Sequence, residues 1–496
     1  MNDLSGRDGT LTRPDYRSRV VDSRLSKLLK AFGAVEIVGP KWCGKTWTAL
    51  SRSRSVDRLD DVAVFAAAQT DPALVLMGEE PHLVDEWQDV PQIWDAARRH
   101  IDDNANRKGQ LILTGSAIPK DRDAIHHSGT GRIARLRMWP MSLAESGEST
   151  GAVSLSDLFE GKFEPAECNT SIEDIARWCC RGGWPANLEL DDEFALEIPG
   201  EYIASVLDIS VPKMKKNPET ARALMRALAV NISQAPKYAT LAADMAYGDE
   251  RREPDTQTVK SYLEMFKDLY LLTDLEGWEP PLRAKSRVRT KPKRYFVDPS
   301  LPAAVLGAAP NTLMRDTQTL GDLFETLCIR DLNVYLSAMP GANNRIAYYR
   351  DDKGLEVDVI IELSDGRWGA IEIKLSDLKV NDDNADKLKS FRDKICGNPM
   401  AQVREPEFMM FLTGRGGKAY RRNDGILVVP IATFGGVNRG KKKKKRRTAK
   451  APVGARAARG GKKNGARGLK HGPTRILSIA CDGARRAGEG VALAGS

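Results

Sequence analysis

The sequence predicts an α/β protein whose N-terminal third is a parallel sheet covered on both faces by helices. Three observations carry that expectation. The first is Gly39-Pro40-Lys41-Trp42-Cys43-Gly44-Lys45-Thr46, a complete G-x-x-x-x-G-K-[ST] loop. It sits between the β-prone run Ala34 to Val38 and a helical continuation, Trp47 to Leu50. The second is Pro81-His82-Leu83-Val84-Asp85-Glu86, an apolar strand that ends in two acids. The third is the alternation of short apolar runs with helical stretches through residues 16–150.

Each of these elements has a chemical reading. Gly39 and Gly44 let the backbone turn back on itself, so that the loop amides form an anion nest at a helix N-terminus. All eight residues from Gly39 to Thr46 are therefore expected to contact ATP. Lys45 reaches the β- and γ-phosphates and the Thr46 hydroxyl ligates Mg²⁺. Asp85 is placed to hold Mg²⁺ beside Thr46, and Glu86 to polarise the attacking water. Solvated acids at an ordinary strand end would look the same.

A further strand, Gln110 to Ser116, closes on small polar residues, where Thr114 or Ser116 can read the γ-phosphate or orient water. Gly131 to Arg137 then presents three arginines. Arg132 is a candidate finger for transition-state charge, in cis or from a neighbouring subunit of a homo-oligomer. An exposed basic edge strand accounts for it equally well. The expected catalytic set is Glu86, Lys45, Arg132 and Thr114, with ATP and Mg²⁺ as ligands.

At 496 residues the chain is too long for one core, and two or three domains are expected. The net charge of +9 is unevenly spread. Residues 437–496 hold 18 Lys/Arg against Asp482 and Glu489, a net of +16, which leaves the body at −7. The seven cysteines show no C-x-x-C spacing, and no apolar signal segment opens the chain. A reducing, cytoplasmic setting is the simplest expectation. No apolar run approaches the roughly 20 residues that span a bilayer, and the five histidines form no zinc-like cluster with the cysteines.

Residues 151–215 read as polar loops mixed with helices, among them Ile172 to Trp178. From 219 to 300 three helices follow: Ala221 to Ala229, Leu241 to Ala246, and Val259 to Leu269, with Thr256 placed to cap the last. Leu271-Leu272 and Tyr295-Phe296-Val297 read as strands around a basic loop, Arg283 to Arg294. Three helices and a two-stranded wing suggest a winged helix. Such a module contacts duplex DNA through basic residues, or serves as a structural lid.

A second site is legible further on. Glu356-Val357-Asp358 and Trp368 to Lys374 form a hairpin around Ser364-Asp365-Gly366. Alternation puts Glu372 and Lys374 on one face, within reach of Asp358, and Glu325 on the helical stretch Leu320 to Leu336 is a further candidate. Two carboxylates can hold Mg²⁺ near a scissile phosphate while a lysine positions water. The set Glu325, Asp358, Glu372 and Lys374 resembles the D…E-x-K signature of restriction-endonuclease-like enzymes. An outward Glu/Lys pair on an amphipathic strand would read identically.

The run Lys441 to Arg447 and the Gly/Ala/Arg-rich sequence after it contain too few apolar residues for a core. A disordered tail attracting DNA or RNA is expected. A reading-frame slip in a GC-rich gene would produce the same composition.

Several runs taken together resemble a known family. They are Tyr16 to Asp22, the phosphate loop, Val84-Asp85-Glu86-Trp87-Gln88, Leu113-Thr114-Gly115-Ser116 and Met138-Trp139-Pro140-Met141-Ser142-Leu143. Gly182-Gly183-Trp184-Pro185, Lys291 to Asp298 and Gly321 to Glu325 continue the series. The chain is similar here to prokaryotic AAA-type ATPases that carry a C-terminal nuclease-like domain of unknown function. The resemblance spans residues 14–436. It implies an AAA-type phosphate-loop NTPase domain with a helical extension (16–215), a winged-helix segment (216–300), a restriction-endonuclease-like α/β domain (301–436) and a disordered basic tail (437–496). The function expected is an ATP-binding, Mg²⁺-dependent ATPase driving a conformational change and acting on nucleic acid. A nucleotide-gated nuclease and a non-enzymatic, nucleotide-switched DNA-binding regulator are the alternatives.

Overall fold

Five short strands, β1 (Ala34–Val38), β2 (Ser55–Arg58), β3 (His82–Asp85), β4 (Leu111–Gly115) and β5 (Ile133–Arg137), form one sheet in the order 2-3-4-1-5. Every pairing is parallel. In this computed structural model the described residues are 9–119, 125, 127–246, 253–278, 291–341, 344–399 and 403–436, and they belong to one compact unit. The basic tail and residues 283–290 of the basic loop lie outside the described residues.

The sheet explains its own sequence. β1, β3 and β4 are buried along their whole length, as parallel strands covered on both faces must be. Val35, Ile37, Leu83, Ile112 and Leu136 pack with α1 (Asp22–Ala31) and α2 (Lys45–Leu50). Ala34, Val84, Leu111 and Leu113 pack with Trp87 and α4 (Ile93–Asp103), which follows α3 (Val62–Thr70). Because all strands run the same way, the ends of β1, β3 and β4 converge on one edge. The crevice outside those carboxyl ends is where α/β sheets bind ligands.

The middle of the chain is helical. Ile172–Arg181 starts at a capping box made by Ser171 and Asp174. The three expected helices are Pro218–Val230, Tyr238–Ala246 and Thr256–Asp268. The cap of the third is Asp255 rather than Thr256: its carboxylate accepts the Thr258 N–H at 2.6 Å, a reach open only to the residue in the extended N-cap position. Leu272–Leu275 then pairs antiparallel with Lys293–Phe296.

The C-terminal sheet takes Arg345–Arg350, Glu356–Glu362 and Trp368–Ser376 as antiparallel neighbours, then Phe408–Arg421 and Leu427–Pro430 in parallel. The helix Thr317–Ser337 lies against one face and Asp382–Cys396 against the other. Residues 151–215 hold more than loops and helices. Ala166–Thr170 adds antiparallel to Phe408–Arg421, and Val153–Ser154 pairs in parallel with Phe434–Gly435. The segment after the first sheet is thus stitched into the last one. Among the described residues no helix is long and apolar enough to cross a membrane.

Candidate nucleotide-binding site

The loop from Gly39 to Gly44 leaves β1 and turns directly into α2. Gly39 has φ +156°, and a Cβ there would lie 2.4 Å from the Met138 carbonyl oxygen, so the close approach of these two segments needs glycine. Trp42 and Gly44 are also left-handed, with φ of 62° and 97°. Lys45 is buried, and its ammonium donates to the Pro40 carbonyl at 2.8 Å, inside its own loop.

At the neighbouring strand ends the expected polar groups meet. Thr46 Oγ1 donates to Asp85 Oδ1 at 3.0 Å, and the Thr114 hydroxyl donates to the same oxygen. Thr114 Oγ1 in turn accepts the Glu86 N–H at 3.2 Å. Glu86 adopts the left-handed conformation, φ 60°, and its Oε2 accepts from Ser116 Oγ at 2.7 Å and from Gln88 Nε2 at 2.5 Å. Burial raises the pKa of Asp85, Thr114 and Thr46 lower it through their hydrogen bonds, and nearby Glu86 pushes it up. A buried carboxylate touching a hydroxyl is a pair of hard oxygen donors. The donor set fits Mg²⁺, which binds through one or two carboxylates plus substrate phosphates.

Arg132 is not brought to this edge. Ala34 N–H, at the start of β1, donates to the Arg132 carbonyl, and the Arg132 side chain pairs with Asp102 at 2.9 Å. The phosphate loop leaves the other end of β1, about 13 Å away at ~3.3 Å per residue. A finger role in cis is therefore corrected. Arg135 pairs with buried Glu36 at 2.7 Å. Arg137, opposite Val38 at the loop end of the sheet, lies over the Trp139 ring at 4.2 Å, and burial pulls its pKa down to about 10.

Two supports of the loop carry no motif of their own. Buried Arg19 donates to the Cys43 carbonyl at 2.7 Å and the Trp139 carbonyl at 2.9 Å, and pairs with Glu145 at 3.1 Å. It clamps the phosphate loop to the segment after β5. On the far side, Pro185 lies beside Gly44, and Trp184 stacks on Tyr202, which meets the exposed Trp42 edge-on at 5.4 Å. Arg19 belongs to an expected run, but nothing in sequence spacing links it to a loop 24 residues later.

The second set of candidates also converges. Lys374 Nζ pairs with Glu372 Oε1 at 2.7 Å, and Asp358 Oδ2 accepts the Ile373 N–H at 2.8 Å. Glu325 accepts the Tyr295 hydroxyl at 2.5 Å. Burial, with Asp358 nearby, pushes Glu372 up to about 7. Burial also takes Glu325 to about 7, against the pull of Lys293. Lys293, which sequence reasoning did not place in a site, enters this group from the strand Lys293–Phe296. Among the described residues no group of three or more His, Cys, Asp or Glu side chains is placed to hold a metal ion.

Residues 31–147 match the family described as an AAA domain. Residues 172–312 and 320–434 match two domains of unknown function, DUF8612 and DUF4143. No curated protein sequence matches the chain. Among solved structures, the Walker-type ATPase paby2304 of Pyrococcus abyssi is 14% identical, covering 60% of this chain and 97% of its own, with a TM-score of 0.36. The Aeropyrum pernix ORC2 protein, in ADPNP–ADP complexes, is 11% identical over 64% of this chain and 98% of its own, at 0.31. AMPPCP-bound DnaA from Aquifex aeolicus is 13% identical over 53% and 93%, at 0.25. Residues 31–147 are thus similar in sequence to AAA domains.

Proposed function

We propose that the protein is a Mg²⁺-dependent ATPase that turns ATP binding and hydrolysis into a conformational change and acts on nucleic acid. One observation carries the reading. The Thr46 hydroxyl, from the phosphate loop, and the Thr114 hydroxyl, from β4, meet on a single oxygen of Asp85 at the end of β3. Two strand ends and the first turn of α2 thus build one polar site at the mouth of an anion-binding loop.

Thr46 and Asp85 would hold Mg²⁺ there, and the ion would offset phosphate charge as a Lewis acid. Lys45 transfers its ammonium from the Pro40 carbonyl to the phosphates, exchanging a neutral acceptor for an anionic one. Glu86 accepts the proton of the attacking water once its carboxylate turns from Ser116 and Gln88. Nucleic acid as the partner is supported by the three helices and two-stranded pair that follow, whose connecting run holds basic residues outside the described set.

The experiment is ATP turnover by wild type and Glu86→Gln, each with and without duplex DNA. Turnover that rises with DNA and falls about 10²–10⁴-fold in Glu86→Gln is the expected result. Unchanged turnover in the variant would remove the hydrolytic role, and indifference to DNA would remove the partner.

A further inference from the structure

The carboxylates of the C-terminal sheet are already engaged by the chain itself. Lys293 Nζ lies 2.7 Å from Glu356, 3.5 Å from Glu325 and 4.0 Å from Asp358, with the side chain only 7% exposed. Glu325 also takes the Tyr295 hydroxyl, Asp358 takes a backbone N–H and Glu372 takes Lys374. A divalent ion, which the nuclease-like resemblance implies here, needs several oxygens at about 2.0–2.6 Å from one point. It does not fit this set, because an ammonium stands among the oxygens that would have to converge.

We propose that this cluster is a cation seat filled by the chain's own Lys293, and that the ammonium excludes a divalent metal from it. The residue comes from outside the C-terminal sheet, on the strand that pairs with Leu272–Leu275. Its position is fixed from several sides. Tyr295, two residues on along the same strand, anchors it through Glu325. The Lys293 ammonium lies over the Tyr348 ring at 5.4 Å, and the Tyr348 hydroxyl donates to the Lys291 carbonyl at 2.5 Å. The seat therefore opens only if the Lys293–Phe296 strand withdraws or the ammonium is removed. Metal-dependent chemistry at Asp358 and Glu372 is blocked while it stays.

The test is Mn²⁺ binding to the full chain without nucleotide, followed by electron paramagnetic resonance. Wild type and Asp358→Asn are expected to give the same titration. Lys293→Met is expected to gain one site at least ten-fold tighter than any in wild type, lost again in Lys293→Met with Asp358→Asn. Lys293→Arg, which keeps the positive charge, should gain nothing. A wild-type Mn²⁺ site that Asp358→Asn abolishes would overturn the proposal, and this comparison needs no Lys293 variant. A folded Lys293→Met or Lys293→Gln that binds no more Mn²⁺ than wild type would overturn it as well. The titration is made without ATP, so its outcome is separate from that of the ATPase reading.

Discussion

Thr114 shows how much one hydroxyl does in the nucleotide site. It donates to Asp85 and accepts the backbone N–H of Glu86, so a single oxygen sets the carboxylate beside Thr46 and the strained turn that carries Glu86. Thr114→Val keeps the shape and removes both bonds. Hydrogen bonds to charged groups contribute about 1.5–3 kcal/mol. Turnover is therefore expected to fall about 10–100-fold while ATP affinity changes little. Steady-state kinetics with a binding titration checks this, and an equal loss in both quantities would count against it. That Thr46, Asp85 and Thr114 would meet was legible because the phosphate loop is written in local spacing and the other two each close an apolar strand run. Arg19 and Lys293 were not, since each acts on groups that only the folded chain brings near. Arg132 as a finger in cis misled for a related reason: a basic strand does not reveal which of its ends faces the ligand.

Strands and helices were read more easily than the way they join. β1, β3 and β4 are short, largely apolar and wholly buried runs, and the hairpin with Asp358 and Glu372 shows alternation. Ala166–Thr170 has neither pattern, because it lies half-exposed and completes an edge whose partner comes more than 240 residues later. The C-terminal sheet also carries a pH dependence. Glu372 is held at about 7 in the folded protein, above the ordinary glutamate value of about 4.5. Its folded form therefore binds a proton more tightly than its unfolded form. The contribution of Glu372 to stability then rises as pH falls from about 7 to about 4.5, and the cost of its ionised form is fully felt above 7. Glu372→Gln removes that titration. In urea unfolding at pH 5 and pH 8, wild type is expected to gain on the variant at pH 5. A difference independent of pH would refute the raised value.

Across the whole molecule, one buried ion network ties the segments together. Arg330 pairs with Asp298 at 2.9 Å and Asp331 at 2.7 Å, with all three side chains almost fully buried. Asp298 also accepts the Gly183 N–H at 2.9 Å, and Asp331 accepts the Leu143 N–H at 3.0 Å. Leu143 lies in the turn that Glu145 caps, and Glu145 holds the Arg19 that grips the phosphate loop. The helix that carries Arg330 carries Glu325 as well. Replacing Arg330 by Met leaves two buried carboxylates without their cation. The expected loss is about 3–5 kcal/mol of unfolding free energy, and a loss under about 1 kcal/mol would show that the network is not a structural tie. None of this was readable in advance, because an Arg-Asp pair in a helix normally marks a solvated face. The claim on which the functional account rests is that the loop of β1 and the acid of β3 grip a triphosphate together. The direct measurement is equilibrium binding of ATP with Mg²⁺ to wild type, Lys45→Ala and Asp85→Asn. Wild type is expected to bind, Lys45→Ala to bind about 10–100-fold more weakly, and Asp85→Asn to lose the gain that Mg²⁺ confers. Equal ATP affinity in wild type and Lys45→Ala would contradict it.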